Sequence, residues 1–208
     1  MKRLAILGAG GHGKVAAEIA RFHGWESIDF FDERWPSTNK NGIWDVVGDE
    51  ELLKKDILQF DGFFIAIGNN SIRKEKQKML SKLSTQLVTL VAKSAVISSS
   101  VTLGCGVLVA EGVCINIDTH IGDGVIINTG ATVDHDCHIK SFAHICPGVN
   151  LAGEVLVGNE SMLGIGTSVI QCINIGDRVT VGAGSVVISD INDGQTVVGV
   201  PAKITNRE

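Results

Sequence analysis

The second half of the chain repeats every six residues, without interruption, from Val101 to Asp190. Fifteen hexads follow one another, and the third place of each is Leu, Ile or Val. The first place is small or β-branched, while Gly, Asp, Asn and Glu crowd the last three places. A period of six fits neither a helix, at 3.6 residues per turn, nor a plain strand, with period 2. It predicts a short strand with two inward side chains and then a turn, repeated around a prism, which is the hexapeptide parallel β-helix.

Three hexads make one coil of 18 residues, so five coils are expected from this repeat. The aromatic residues agree with a narrow prism, because all of them except Phe142 lie at or before Phe64. An ordinary β-sandwich would break the phase of the repeat and would show longer turns. The sequence therefore favours a β-helix over residues 89–208.

The first half instead alternates strand and helix patterns, which is typical of a small three-layer parallel sheet. It forms a separate α/β domain over residues 1–88 in this interpretation. The hydrophobic patterns predict strands over 3–7, 28–32, 62–67 and 87–91, and helices over 14–23, 49–58 and 72–83.

A glycine-rich turn follows the first predicted strand. Residues 8–13 read Gly-Ala-Gly-Gly-His-Gly and fit the G-x-G-x-x-G pattern, with Asp32 ending the second strand. Glycines let the backbone approach a phosphate, and the helix that follows supplies N–H groups and a partial positive charge. The turn thus predicts a nucleotide diphosphate site, the alternative being a tight turn without a ligand. About 90 residues make only one mononucleotide half, which favours a nucleotide sugar over a dinucleotide such as NAD.

Histidines cluster within the repeat. His135 takes the fifth place of its hexad, on a turn between Asp134 and Asp136, and such a flanked imidazole suits a general base. His138 and His144 take the outward second place, and His120 lies 18 residues before His138, one coil away. Two other interpretations stay open, namely a solvated turn without a role and a zinc site shared across a subunit interface.

Charge and cysteine content exclude other classes of function. The net charge of −5 argues against a nucleic-acid partner, and no apolar run approaches the roughly 20 residues of a membrane span. The five cysteines form no C-x-x-C pair, and the apolar run after Met1 is too short for a secretory signal. We therefore expect free thiols in a cytoplasmic protein.

The sequence resembles the sialic-acid O-acetyltransferase-like family of left-handed β-helix acyltransferases. In particular, it is similar to those that N-acetylate a UDP-linked 4-amino-4,6-dideoxy sugar in the bacillosamine branch of bacterial glycan and glycoprotein synthesis. The resemblance covers essentially the whole chain. It rests on residues 8–14, 31–33, 66–70 with Arg73, 128–129, 134–136, 164–166 and 199–203.

The resemblance implies a left-handed coil, a homotrimer with sites between neighbouring subunits, acetyl-CoA as the acetyl donor, and no metal. His135 would be the base, Asp136 the carboxylate that orients it, and Gly153, one coil later, the N–H donor to the oxyanion. The UDP-amino sugar would contact Gly10, Gly11, His12, Asp32, Glu33, Gly68, Asn69 and Asn128. Acetyl-CoA would contact His144, Ile165, Gly182, Ala183, Gly184 and Lys203. For Lys203 and Arg207, contact with the CoA phosphates and a solvated position in the tail are equal alternatives.

Competing functions keep the fold but change the acceptor or the chemistry. GDP-perosamine N-acetylation and sialic acid O-acetylation differ only in the acceptor. A zinc-dependent, carbonic-anhydrase-like protein would need three histidines to converge, and a non-catalytic scaffold would have no use for the turn 134–136.

Overall fold

The computed structural model describes residues 2–83 and 85–205, and the chain divides into two compact units, residues 1–90 and 91–208. Each unit has its own core. In the described residues no helix is both long enough and apolar enough to span a bilayer.

The first unit is a five-stranded sheet with helices. Its strands are β1 (Arg3–Leu7), β2 (Ser27–Phe31), β3 (Lys40–Asn41), β4 (Trp44–Gly48) and β5 (Gly62–Ile65), in the order β3-β4-β2-β1-β5. Only β3 pairs antiparallel, with β4, and the other neighbours are parallel. The helices are α1 (Gly11–Phe22), α2 (Glu50–Lys55) and α3 (Asn70–Lys82), with a 3₁₀ turn over Ile57–Gln59.

Four differences from the predicted elements stand out in this unit. Helix α1 begins at Gly11 rather than at residue 14, so the glycine turn already belongs to its first turn. Strands β3 and β4 were not predicted, and the helix expected over 49–58 ends at Lys55 before the 3₁₀ turn. The strand expected over 87–91 is short, because only Leu90–Val91 is strand and Leu87 makes an isolated bridge to Phe63.

The second unit is a triangular β-helix with three faces of strands, each strand two residues long through most of the repeat. Neighbouring strands pair parallel, except that the last strand of the first face pairs antiparallel. The first face holds β6 (Leu90–Val91), β9 (Leu108–Val109), β12 (Ile126–Ile127), β15 (His144–Ile145), β18 (Met162–Leu163), β21 (Thr180–Val181), β23 (Thr196–Val198) and β24 (Lys203–Ile204). The second face holds β7 (Val96–Ile97), β10 (Cys114–Ile115), β13 (Thr132–Val133), β16 (Asn150–Leu151), β19 (Ser168–Val169) and β22 (Val186–Val187). The third face holds β8 (Thr102–Leu103), β11 (His120–Ile121), β14 (His138–Ile139), β17 (Leu156–Val157) and β20 (Asn174–Ile175).

The predicted register of the repeat is confirmed. Strand residues occupy the second and third places of each hexad, and partners lie 18 residues apart, as His120 and His138 do. Every third-place residue from Val109 to Val187 is buried, and only Leu103, on the first strand of the third face, is half-buried. The small aliphatic core forms because each face contributes two short side chains per coil to the narrow interior.

Two of the three corners of the prism matter for the site. The histidine corner joins the second face to the third and comprises residues 116–118, 134–136, 152–154 and 170–172. The glycine corner joins the first face to the second and comprises residues 110–112, 128–130, 146–148, 164–166 and 182–184. In every coil of the glycine corner the last residue is a glycine with φ between 65° and 70°.

Candidate active site

His135 lies on the histidine corner with its imidazole half exposed and held by a carboxylate. Its Nδ1 lies 2.8 Å from Oδ2 of Asp136. Asp134 instead accepts a hydrogen bond from the backbone N–H of His135 at 2.9 Å and one from Nδ2 of Asn116 at 2.8 Å. The two carboxylates therefore differ in position, since Asp136 orients the ring and Asp134 holds the turn.

The charges around His135 make its imidazole a stronger base. Its hydrogen bond to Asp136 raises the pKa of His135 above its usual value, and the negative charges of Asp134, Asp136 and Glu154 act in the same direction. When Nδ1–H donates to Asp136, the lone pair of Nε2 is left to accept a proton. The arrangement has the form of a general base and its orienting carboxylate.

Gly153 lies directly against the His135 ring, one coil further on. A methyl group on Gly153 would approach Nε2 of His135 to 2.6 Å, so only glycine fits there without displacing the imidazole. In the described part of the chain no acceptor binds the backbone N–H of Gly153. The structure thus brings all three predicted catalytic residues together.

The residues expected to contact acetyl-CoA lie elsewhere, at the glycine corner and on the first face. Ile165 is 61% exposed there, and a side chain at Gly184 would be strained because its φ is +69°. Gly182 and Ala183 lie on the same turn as Gly184, and Lys203 is exposed on β24. Arg207 lies outside the described residues.

Asn128 joins this second group, although it was expected to face the sugar. Its Nδ2 lies 3.2 Å from Nε2 of His144, which projects from the first face. Its Oδ1 accepts a hydrogen bond from the backbone N–H of Thr129, so the amide orientation is defined. The predicted site of the β-helix is therefore divided between two corners that are separated by the whole second face.

In the first unit the glycine turn leaves open space. A Cβ added at Gly10 or Gly11 would meet no atom of the surrounding structure within 4 Å, whereas a Cβ added at Gly13 would clash with the carbonyl oxygen of Gly8. Within this turn only Gly8 has a positive φ, at +110°. Gly8 and Gly13 thus shape the turn, while Gly10 and Gly11 leave its outer surface bare.

Asp32 has a different environment from the one expected of a substrate ligand. Its carboxylate accepts hydrogen bonds from the backbone N–H of Ala9 at 2.7 Å and from Nε of Arg34 at 2.7 Å, besides two weaker ones from Arg34. These bonds lower the pKa of Asp32 to about 2, the Arg34 side chain having the largest effect. Arg34, which sequence analysis did not identify, also donates to the carbonyl of Ala9 at 3.0 Å and so places a guanidinium beside the turn.

A shallow cavity of about 230 Å³ opens at the carboxyl edge of this sheet, where nucleotides bind in parallel α/β folds. Glu33 and Asp32 line it together with Gly8 and Ile67. The predicted substrate residues Asp32 and Glu33 therefore line one cavity together with Gly8 of the glycine turn.

His12 and Arg73 lie beneath the same edge. His12 is largely buried, its Nε2 has no hydrogen-bond partner among the described residues, and burial together with the Arg73 charge lowers its pKa to about 4. Arg73 is 1% exposed and donates to the carbonyls of Ile67 and Gly68 at 3.0 and 3.1 Å. Asn69 caps α3, because its Oδ1 accepts from the N–H of Ile72 at 3.0 Å. The buried Arg73 guanidinium thus binds the backbone of the turn at Gly68, and Asn69 caps the helix that carries Arg73.

The histidines of the third face do not gather around a common point. His120 and His138 stack with ring centroids 4.8 Å apart, as their 18-residue spacing predicts, and Nδ1 of His120 binds the hydroxyl of Thr102. His144 projects from the first face and His135 from a corner. Among residues 2–83 and 85–205 no three His, Cys, Asp or Glu side chains are placed to hold one metal ion. The absence of a metal requirement stays a prediction.

Comparison with known proteins agrees with both units. Residues 3–80 match the family described as the PglD N-terminal domain. The UDP-N-acetylbacillosamine N-acetyltransferase of Bacillus subtilis (strain 168) is 37% identical over 114 residues, which are 52% of this chain and 51% of that enzyme. The match thus spans about half the length of this curated relative.

Solved structures match over the whole chain. Perosamine N-acetyltransferase from Caulobacter crescentus, as a histidine-to-asparagine mutant in complex with CoA and GDP-perosamine, is 41% identical with a TM-score of 0.95, covering 100% of this chain and 98% of that one. The acetyltransferase domain of PglB from Neisseria gonorrhoeae FA1090, in complex with acetyl coenzyme A, is 39% identical with a TM-score of 0.94, covering 98% of this chain and 99% of that one.

Fold and site together define a left-handed β-helix acyltransferase that carries an N-terminal half-Rossmann sheet. More particularly, the chain belongs to the hexapeptide-repeat sugar-nucleotide N-acetyltransferases, the family of the enzymes just described. The predicted family and fold class are confirmed.

Proposed function

We propose that the protein transfers the acetyl group of acetyl-CoA to the 4-amino group of a UDP-linked 4-amino-4,6-dideoxy-N-acetyl sugar. The observation that carries this proposal is the half-exposed His135, bound through Nδ1 to Asp136 and lying against Gly153. The bacillosamine enzyme of Bacillus subtilis supports the acceptor, and the PglB domain with bound acetyl coenzyme A supports the donor.

The chemistry follows from the site. The sugar amine attacks the thioester carbonyl carbon while Nε2 of His135 takes the proton that the nitrogen loses. Negative charge develops on the carbonyl oxygen, and the Gly153 N–H stabilises it by a hydrogen bond. The carbon–sulfur bond then breaks and the amide forms. His135 gives the proton that it took from the amine to the leaving sulfur, and CoA departs as a thiol. Cys137 is no nucleophile in this scheme, because it is fully buried and burial raises its pKa to about 11.

The nucleotide would bind at the first unit. Gly10 and Gly11 offer backbone to the diphosphate, and Arg34 adds a positive charge beside them. Glu33 and the neighbouring cavity, at the carboxyl edge of the sheet, would hold the nucleoside. Arg73 contributes indirectly by holding the Gly68 turn.

A homotrimer in the cytoplasm completes the proposal. The base His135 and the predicted CoA residues Ile165 and Gly184 lie at different corners of one chain, at opposite ends of the second face. One full prism face separates the two corners. The hexad that forms such a face spans at most about 20 Å when fully extended. A second copy can bring its glycine corner against the histidine corner of the first, and a threefold arrangement closes with three such sites.

The test is a panel of amino-sugar nucleotides with acetyl-CoA, in which the release of free thiol is followed. We expect turnover with the UDP-linked 4-amino sugar, and we expect His135→Ala to lower kcat by about 10²–10⁴-fold while the oligomer stays intact. Turnover of the variant within threefold of wild type would remove His135 from the mechanism.

GDP-perosamine is the second acceptor to include, because the perosamine enzyme of Caulobacter crescentus resembles this chain over its full length. Preference for the GDP-linked sugar in the same panel would keep the chemistry and change the substrate. Activity that survives dialysis against a chelator would support a reaction without metal, and its loss with recovery on added zinc would refute that part of the proposal.

A further inference from the structure

Two buried side chains beneath the histidine corner bind the backbone of the turns that carry the catalytic groups. The hydroxyl of Thr119 donates to the carbonyl of Asp134 at 2.8 Å and accepts from the N–H of Cys137 at 3.2 Å. One coil further on, the thiol of Cys137 donates to the carbonyl of Ala152 at 3.2 Å. Both residues are fully buried in the first place of their hexads.

On the third face, a hydrogen-bond donor takes the first place of the hexad only in these two coils of the repeat. The same first-place position of the third face is Val101, Val155 and Ile173 in the other coils of the repeat. Valine and isoleucine fill the corner equally well but cannot donate a hydrogen bond. The two donors thus coincide with the turn of His135 and with the turn of Gly153.

The peptide geometry links these contacts to the chemistry. A trans peptide is planar, and its N–H points opposite to its C=O. Because the carbonyl of Ala152 points inward to Cys137, the N–H of Gly153 in the same peptide unit points outward, away from the core. That is the direction in which an acyl oxygen beside His135 would lie.

The same argument applies to the base. The carbonyl of Asp134 points inward to Thr119, so the N–H of His135 points outward, where it donates to Oδ1 of Asp134. The carbonyl of His135 is held in turn by the N–H of Glu154 at 2.9 Å. The backbone on both sides of the imidazole is therefore held by the adjacent coils.

We infer that Thr119 and Cys137 are positioning residues for acetyl transfer, Thr119 through the turn of His135 and Cys137 through the direction of the Gly153 N–H. This inference rests on the proposed function. The thiol serves as a donor because burial raises the pKa of Cys137 to about 11 and keeps it protonated near neutral pH. Displacing a catalytic group by about 1 Å lowers the rate of a reaction on the order of 10²-fold, so small tilts of these peptides should lower turnover.

The experiment compares Thr119→Val and Cys137→Val with the wild type, since valine occupies this corner in other coils. We expect kcat to fall about 10- to 100-fold while KM for acetyl-CoA changes less than about threefold, because neither side chain reaches the substrate. Cys137→Ala, which only deletes the sulfur, replaces the valine variant if that variant does not fold. Thr119→Ser and Cys137→Ser keep a donor and should restore at least half of kcat.

Ser161 supplies a matched control. It makes the same pair of contacts, to the carbonyl of Gly176 at 2.6 Å and from the N–H of Val179 at 2.9 Å, but at the corner joining the third face to the first. Ser161→Ala should therefore keep kcat near the wild-type value. Equal losses in Ser161→Ala, valine variants with unchanged kcat, or serine variants without recovery would each overturn the inference. His135→Ala separates the two hypotheses, because an active His135→Ala variant refutes the proposed base itself.

Discussion

At the scale of single residues, the histidine corner has non-glycine residues at backbone positions whose positive φ favours glycine. Asp118, Asp136, Glu154 and Cys172 all have φ between 58° and 60°, a region that non-glycine residues seldom adopt. The glycine corner has glycine at the equivalent place in every coil. Strain of this kind persists where the surroundings require a particular side chain, and at Asp136 the requirement is the contact with His135.

The pH dependence of turnover tests that contact. In the proposed mechanism attack needs neutral His135, so kcat/KM should fall as the pH drops below the pKa of His135. Asp136 raises that pKa, which places the acid limb above the usual value of 6.5. Asp136→Asn should move the limb to lower pH and reduce kcat, though by less than His135→Ala does. A limb that stays in place in Asp136→Asn would show that the carboxylate does not set the basicity.

Buried His12 predicts a pH effect on stability instead. Its pKa is lowered from 6.5 to about 4, so between these values the unfolded chain binds a proton that the folded chain does not. Stability from this group is complete above pH 6.5 and is lost as the pH falls toward 4. From about pH 7.5 to pH 5 the free energy of unfolding should fall about 2 kcal/mol further in the wild type than in His12→Gln. Urea unfolding of both proteins measures this difference, and parallel curves would contradict it.

Single residues also show where sequence reasoning stops. The triad of His135, Asp136 and Gly153 could be assembled from the sequence, because an 18-residue coil places Gly153 beside His135. The ion pair between Asp32 and Arg34 could not be predicted from the sequence. It depends on the path of a loop without regular structure, which brings Arg34 against the glycine turn. Thr119 and Cys137 were hidden for another reason: Thr and Cys are ordinary small first-place residues, and only the carbonyl opposite each shows their role.

At the scale of elements, predictability follows periodicity. The hexad repeat gave the strand register of the β-helix correctly, because one phase error would turn every core side chain outward. The predicted start of helix α1 was too late because glycines lower helix propensity, whereas in the structure the helix begins at Gly11 with Gly10 as its N-cap. Strands β3 and β4 lie in a stretch rich in turn residues and with no clear alternation, so local patterning gave no signal for them.

Substitutions in the glycine turn can test ligand binding separately from folding. A Cβ added at Gly11 would meet no atom of the surrounding structure within 4 Å, so we expect the first unit to stay folded in Gly11→Val. The added side chain would occupy the space of the diphosphate, and the affinity for the UDP-sugar should fall about tenfold or more, or 1.4 kcal/mol. Calorimetry with the UDP-sugar and with acetyl-CoA measures both sites in one variant. Unchanged affinity for the UDP-sugar would place the diphosphate elsewhere.

Gly13→Ala is the matched structural variant on the same turn. Its methyl group would lie 2.4 Å from the carbonyl oxygen of Gly8 and 2.9 Å from the Phe30 ring, so the helix start must shift. Such overpacking costs about 1–3 kcal/mol, and thermal unfolding should show a lower midpoint for Gly13→Ala but not for Gly11→Val. Equal midpoints in the two variants would mean that the turn relaxes more easily than its packing indicates.

At the scale of the whole molecule, the proposed division of the site between two corners makes a prediction about how copies of the chain cooperate. One chain supplies His135 at its histidine corner and Ile165 at its glycine corner, and these lie at opposite ends of the second face. If each site combines the histidine corner of one copy with the glycine corner of the next, a defect at either corner inactivates a homotrimer. A mixed trimer, however, pairs an intact histidine corner with an intact glycine corner wherever the right neighbours meet.

Subunit mixing therefore provides a direct test. His135→Ala removes the base, and Ile165→Glu puts a charge on the exposed apolar surface proposed for acetyl-CoA, so each variant alone should be nearly inactive. When equal amounts are co-expressed and assemble at random, about a quarter of the sites join the intact corners of both variants, and activity should recover to about that fraction. The double variant His135→Ala/Ile165→Glu, mixed with wild type, controls for assembly and should leave about a quarter of the sites intact as well. Recovery requires that the two residues act from different chains, because no mixture restores a site whose base and CoA contacts belong to one chain. Mixed trimers that stay inactive, with assembly verified by tagged copies, would place the whole site within a single subunit.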